Sequence, residues 1–195
     1  YDPRRDFTAI SHVGNFSFFL IVHPELPVKS LADLVAHAKT KQLNYGTGNT
    51  TAIVQTALLA KMLGIEMQHI PYKTEPPAVI DLLANRIDLM IASYSTVASH
   101  VAEGKLRSIL TTLEARSPLM PDAPTLPESG YKLLAVGSWT GIFGPAKMPK
   151  EVVDKLAQGF ADVLNKPDVR EQLTKQAFAV KVMGPEQLAD YTAEQ

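Results

Sequence analysis

LNYGTGNTTAIVQTALLAKMLG, residues 43–64, decides the fold. Leu43-Asn44-Tyr45 reads as a short strand, Gly46 to Thr51 as a glycine-rich loop, and about Thr50 to Leu63 as a helix stopped by Gly64. The same unit recurs on both sides. Upstream, Phe16 to Val22 is a buried-strand run ended by Pro24 and Pro27. Ser30 follows as an N-cap with Asp33 three residues on, and Leu31, Leu34, Val35 and Ala38 form one apolar stripe. Downstream, Met67 to Ile70 is a strand, Pro71 to Pro77 a turn and Ala78 to Ala84 a helix. Ile87 to Ile91, a helix from Tyr94 to Glu103 before Gly104, and a strand from Leu106 to Thr112 complete the series. Strands alternating with helices predict an α/β fold on a mainly parallel sheet covered on both faces.

Beyond this series the texture changes. Pro118, Pro121, Pro124 and Pro127 recur every third residue, which predicts a semi-extended connection outside the core. Leu133 to Phe143 is strand-like and holds the only tryptophan, Trp139. A helix from Pro149 to about Leu164, another from Pro167, a strand from Phe178 to Met183 and a final helix from Pro185 follow. That tail has too few strands for a sheet of its own, so it is expected to belong to a second lobe. Its helices are expected to leave apolar faces uncovered.

Bulk properties narrow the function. Nineteen Lys and Arg against twenty Asp and Glu give a net charge of −1. There is no basic excess for a broad nucleic-acid surface. The longest apolar run, Phe16 to Val22, falls far short of the ~20 residues that span a bilayer. With no cysteine, thiol catalysis and cysteine-bound metal are excluded. His12, His23, His37, His69 and His100 show no ligand-pair spacing, so neither metal nor cofactor is expected. In Gly137-Ser138-Trp139-Thr140-Gly141 the serine stands one place too early for a nucleophile elbow. Asp81 and Asp88 fall on different elements and read as solvated caps. A binding protein rather than an enzyme is expected.

The chemistry that remains is anion reading. In the Gly46–Thr51 loop, Gly48 allows close backbone approach, while Thr47, Asn49, Thr50 and Thr51 add donors to the unpaired N–H groups of a helix start. No lysine follows, as a Walker loop needs, and Thr51 stands where a dinucleotide fingerprint has its third glycine. The alternative is a glycine-rich turn in which a threonine caps the helix. Two further strand-to-helix junctions carry polar groups: Ile70 to Pro77, with Tyr72 and Lys73, and Ser93-Tyr94-Ser95-Thr96. Open α/β sheets bind ligands beyond the carboxyl ends of their strands, so three such ends together argue for a site. Trp139 is a candidate ligand wall or a core residue.

Ordered landmarks run through almost the whole chain. They include Tyr1-Asp2-Pro3, Val22-His23-Pro24, Ser30-Leu31-Ala32-Asp33-Leu34, Leu43 to Asn49, His69-Ile70-Pro71-Tyr72-Lys73, Pro121 to Thr125, Ser138-Trp139 and Gly144-Pro145-Ala146. With them the sequence resembles the solute-binding proteins of the tripartite tricarboxylate transporter family, also called the Bordetella uptake gene type. The resemblance implies a two-lobed, type II-like periplasmic binding-protein fold that closes around a small carboxylate and delivers it to membrane transporter subunits. It implies a periplasmic protein, made with a secretory leader and not membrane-spanning. The second lobe, 16–134, is expected complete and the first, 1–15 with 135–195, partial. The expected ligand contacts are Thr47, Gly48, Asn49, Thr50, Thr51, Tyr72, Lys73, Ser93, Tyr94 and Trp139. Family members have further N-terminal elements, including a ligand loop, so the chain is expected to lack them. They also place glycine after Pro-Tyr-Lys, where Thr74 is expected to narrow the pocket or strain the turn. Two other functions stay open. One is the effector-sensing domain of a transcription regulator, which can share this fold, and the other an enzyme using Lys73.

Overall fold

The computed structural model describes residues 2–134 and 136–194, the side chains of Pro3 and Arg4 apart. Tyr1, Ala135 within the expected 133–143 strand, and Gln195 lie outside the described residues. The chain divides into two compact units, Tyr1–Phe16 with Gly137–Gln195, and Ser17–Val136. The first unit begins with a short helix α1 (Pro3–Asp6) and a long strand β1 (Phe7–Phe16).

The second unit is the alternating series. It holds β2 (Phe18–Val22), α2 (Leu31–Ala38), β3 (Leu43–Thr47), α3 (Thr50–Leu63), β4 (Met67–Pro71), α4 (Glu75–Leu83), β5 (Leu89–Ser93), α5 (Tyr94–Ala102) and β6 (Arg107–Thr111). Local signals act as read: Ser30 Oγ accepts from Asp33 N at 3.1 Å, and Gly64 ends α3 in the left-handed region at φ 64°. The strand order is β4-β3-β5-β2-β6. β3 runs parallel to β4 and β5, whereas β2 is antiparallel to β5 and β6. Four strands therefore point one way and β2 the other. β2 follows β1 across the single residue Ser17, so no helical crossover before it sets its direction.

All five residues of β2 are buried, and they alternate between two apolar layers. Phe18, Leu20 and Val22 pack with Leu31 and Leu34 of α2 and Ala52, Leu59 and Leu63 of α3. Phe19 and Ile21 pack with Ala78, Val79 and Leu82 of α4 and Val97 of α5. Each such side chain contributes about 1.5–3 kcal/mol of burial. The proline-marked segment differs from its expectation: Met120, Ala123 and Leu126 are buried in these layers, and Thr125 bridges to Thr111. The prolines space the chain so that residues between them face inward.

The first unit resumes with β7 (Trp139–Pro145), α6 (Lys150–Leu164), α7 (Pro167–Lys175), β8 (Phe178–Met183) and α8 (Pro185–Glu194). These two strands pair with β1 and not with each other, in an antiparallel sheet of order β7-β1-β8. The central strand β1 escaped the sequence reading because irregularities at Ala9/Ser11 and His12/Gly14 break its alternation. Gly14 lies so close to β8 that a Cβ would overlap Phe178 and Ala179. The uncovered apolar face expected of the tail helices is found on α6, where Val152, Leu156 and Val163 are exposed; Leu188 of α8 is fully buried.

Candidate functional site

Because β3 lies between β4 and β5 and parallel to both, the carboxyl ends of the three strands are neighbours. The loops after them are the three singled out from the sequence. Two close contacts join the first to the second. Tyr72 N–H donates to the Thr47 carbonyl at 2.9 Å, and a Cβ on Gly48 would overlap the backbone of Thr74 and Glu75. Glycine at 48 is thus required by packing between loops.

Asn49, and not a threonine, caps α3. Its Oδ1 accepts from Ala52 N at 2.8 Å while its Nδ2 donates to Glu75 Oε1 at 2.7 Å. Glu75 is the group that ties all three loops together. Its carboxylate also accepts from Ser93 N at 3.2 Å, Ser93 Oγ at 2.5 Å and Thr96 Oγ1 at 2.6 Å. It is only 8% exposed. Hydrogen bonds to a charged group are worth about 1.5–3 kcal/mol each, which offsets the cost of burying the charge.

Sequence reasoning gave Glu75 no role, and counted Thr96 only among the polar groups of the third junction. The missed signal is Thr74-Glu75-Pro76-Pro77, which has the form of a helix start: an N-cap, an acidic first turn and prolines where no donor is needed. Thr74 accordingly has extended backbone, φ −147° and ψ 168°, and does not strain the turn.

The other expected residues divide. Thr47 is buried and its hydroxyl is 2.6 Å from His69 Nε2, a ring stacked on Tyr45. Tyr72 donates its hydroxyl to Asp81 at 2.7 Å, and Asp81 also pairs with Arg86 at 2.9 Å. Burial, then the Asp81 contact, pushes the Tyr72 phenol up to about 12, while the Tyr72 hydrogen bond and then Arg86 hold Asp81 below the usual carboxylate range. Tyr94 packs against the core layer beside Phe19. Lys73 is exposed, as is Thr50, and Thr51 is half-buried. Trp139 belongs to the first unit, where it stacks on the buried His12 and meets Tyr191 and Phe143. Asp88, read as a solvated cap, is buried instead and accepts from Asn44 N at 2.7 Å, with Lys41 at 3.5 Å.

The whole chain, residues 1–195, matches the model of the tripartite tricarboxylate transporter family receptor. The chain belongs to this family. It is 30% identical over its full length to the UPF0065 protein in the gbd 5′ region of Cupriavidus necator, and 26% identical to the protein BugT of Bordetella pertussis. It spans 60% and 61% of those two relatives' lengths. Among solved structures it is similar to an R. palustris protein with adipate (28% identity, TM-score 0.80, covering all of this chain and 67% of that one). It is likewise similar to MatC of Rhodopseudomonas palustris with bound malate (27%, TM-score 0.74, all of this chain and 69% of that one). The α/β periplasmic binding-protein fold implied by the resemblance is the fold of these relatives. The family is one of solute receptors rather than enzymes, and among the described residues no helix is long and apolar enough to cross a membrane.

Proposed function

We propose that the protein is a periplasmic receptor that captures a small organic acid for a tripartite tricarboxylate-type transporter. The observation that carries this reading is the convergence of three parallel strand ends beside the start of α3, where Thr50 is exposed and Thr51 half-buried. There the Thr50 and Thr51 N–H groups precede the first intrahelical bond, and Asn49 satisfies only Ala52 N. A helix start of this kind favours a carboxylate through both its donors and its dipole. The adipate and malate held by two similar proteins support the same ligand class. Thr47 and Gly48 shape the loop, Asn49 caps it, and Thr50 and Thr51 read the anion. Tyr72, Lys73, Ser93 and Tyr94 stand at the neighbouring strand ends, and Trp139, in the first unit, is a candidate ligand wall or core residue. Calorimetric titration with mono-, di- and tricarboxylates tests the proposal. Saturable binding of at least one acid is expected, and a folded protein that binds none refutes it.

A further inference from the structure

The buried carboxylate of Glu75 has consequences for which acids fit. A carboxylate has about four lone-pair sites. Those of Glu75 meet four donors: the Asn49 amide, the Ser93 N–H and the Ser93 and Thr96 hydroxyls. These are the groups at the starts of α3 and α5 that would otherwise read an anion. Among the described residues no lysine or arginine forms an ion pair with Glu75, and its carboxylate is met by neutral hydrogen-bond donors. The α4 start adds little, because Pro76 and Pro77 have no N–H.

Resting on the carboxylate-receptor reading, we propose that Glu75 sets the charge rule of the site. It takes the place of a second ligand carboxylate on the α5 side, so the receptor selects acids with one negative charge over dicarboxylates of equal length. Like charges a few ångströms apart in a partly buried site repel strongly enough to be decisive.

The test compares hexanoate with adipate by calorimetry, in the full chain and in Glu75→Gln, which keeps the size and removes the charge. The unaltered protein is expected to bind hexanoate more tightly by about tenfold or more, and Glu75→Gln to bring the ratio to about one or reverse it. Equal affinities in the unaltered protein, or a ratio that Glu75→Gln leaves unchanged, overturn the inference while the carboxylate reading stands. Absence of binding by either acid to either protein overturns the inference, while the carboxylate reading falls only if no acid of the wider calorimetric series binds. Should Glu75→Gln fail to fold, as its melting curve would reveal, the ratio in the unaltered protein decides alone.

Discussion

Gly48→Ala tests whether the three loops are held together as a unit. The new Cβ would lie 2.6 Å from Glu75 Cα and overlap Thr74 and Glu75 backbone atoms. Those atoms cannot rotate away, because the Tyr72–Thr47 bond and the four donors on Glu75 fix them. The loops must separate, which costs about 1–3 kcal/mol as overpacking. Losing the Asn49–Glu75 bond adds about 1.5–3 kcal/mol. Together these come to about 2.5–6 kcal/mol, which lowers Tm by about 5–24 °C in a protein of this size. Gly46→Ala is the internal control. Its Cβ meets chiefly Ile87 Cδ1, the rotatable end of a side chain, at 2.5 Å. It should cost about 1 kcal/mol, or about 2–4 °C. Melting curves by circular dichroism decide between the two. A Gly48→Ala protein melting within about 2 °C of the unaltered one, or a larger loss in Gly46→Ala, would refute the reasoning.

In α6, Gly159→Ala meets no atom within 4 Å. It should therefore stabilise the protein by about 0.8–1 kcal/mol, read as a Tm about 2–4 °C higher, and a lower Tm would contradict the helix placement. Tyr72 predicts a pH dependence: its folded pKa lies above its ordinary value, so the stability it contributes is complete below pH 10 and lost as pH rises towards 12. Tyr72→Phe should flatten that alkaline decline. It should also flatten part of the acid one, because the hydrogen bond from Tyr72 is the largest cause of Asp81's lowered pKa; Asp81's contribution is complete above 3.8 and lost as pH falls through its folded value. Denaturant titrations across pH give the result, and unchanged profiles in Tyr72→Phe would exclude the pair.

Most of the fold was legible because its signals are local. Asn49 to Gly64 carries its own start, periodicity and stop, and Ser30 with Asp33 marks a start as plainly. What failed was non-local. The reversal of β2 depends on which strand it enters beside, and β1 hides its pairing behind two register shifts. The proline series was misread because spacing alone does not reveal that Met120, Ala123 and Leu126 point inward.

The candidate site was legible as three neighbouring loops and not as the hydrogen-bond network that joins them. Loops after Thr47, Pro71 and Ser93 were identifiable from strand-to-helix order, and the β4-β3-β5 arrangement brings them together. Composition at those loops suggested a set of donors for an anion, neutral but for Lys73. A single acidic residue changes that, since a buried carboxylate on a central donor set does two things at once. It locks the loops through charged hydrogen bonds, and it uses the groups that would greet an incoming anion. Rigidity and selectivity are then coupled through one side chain: a variant that loosens Glu75 to admit a dicarboxylate also releases the loops that shape the cradle at Thr50 and Thr51. Gain of the second acid should therefore accompany loss of stability, which separates Glu75 from a residue that only narrows the pocket.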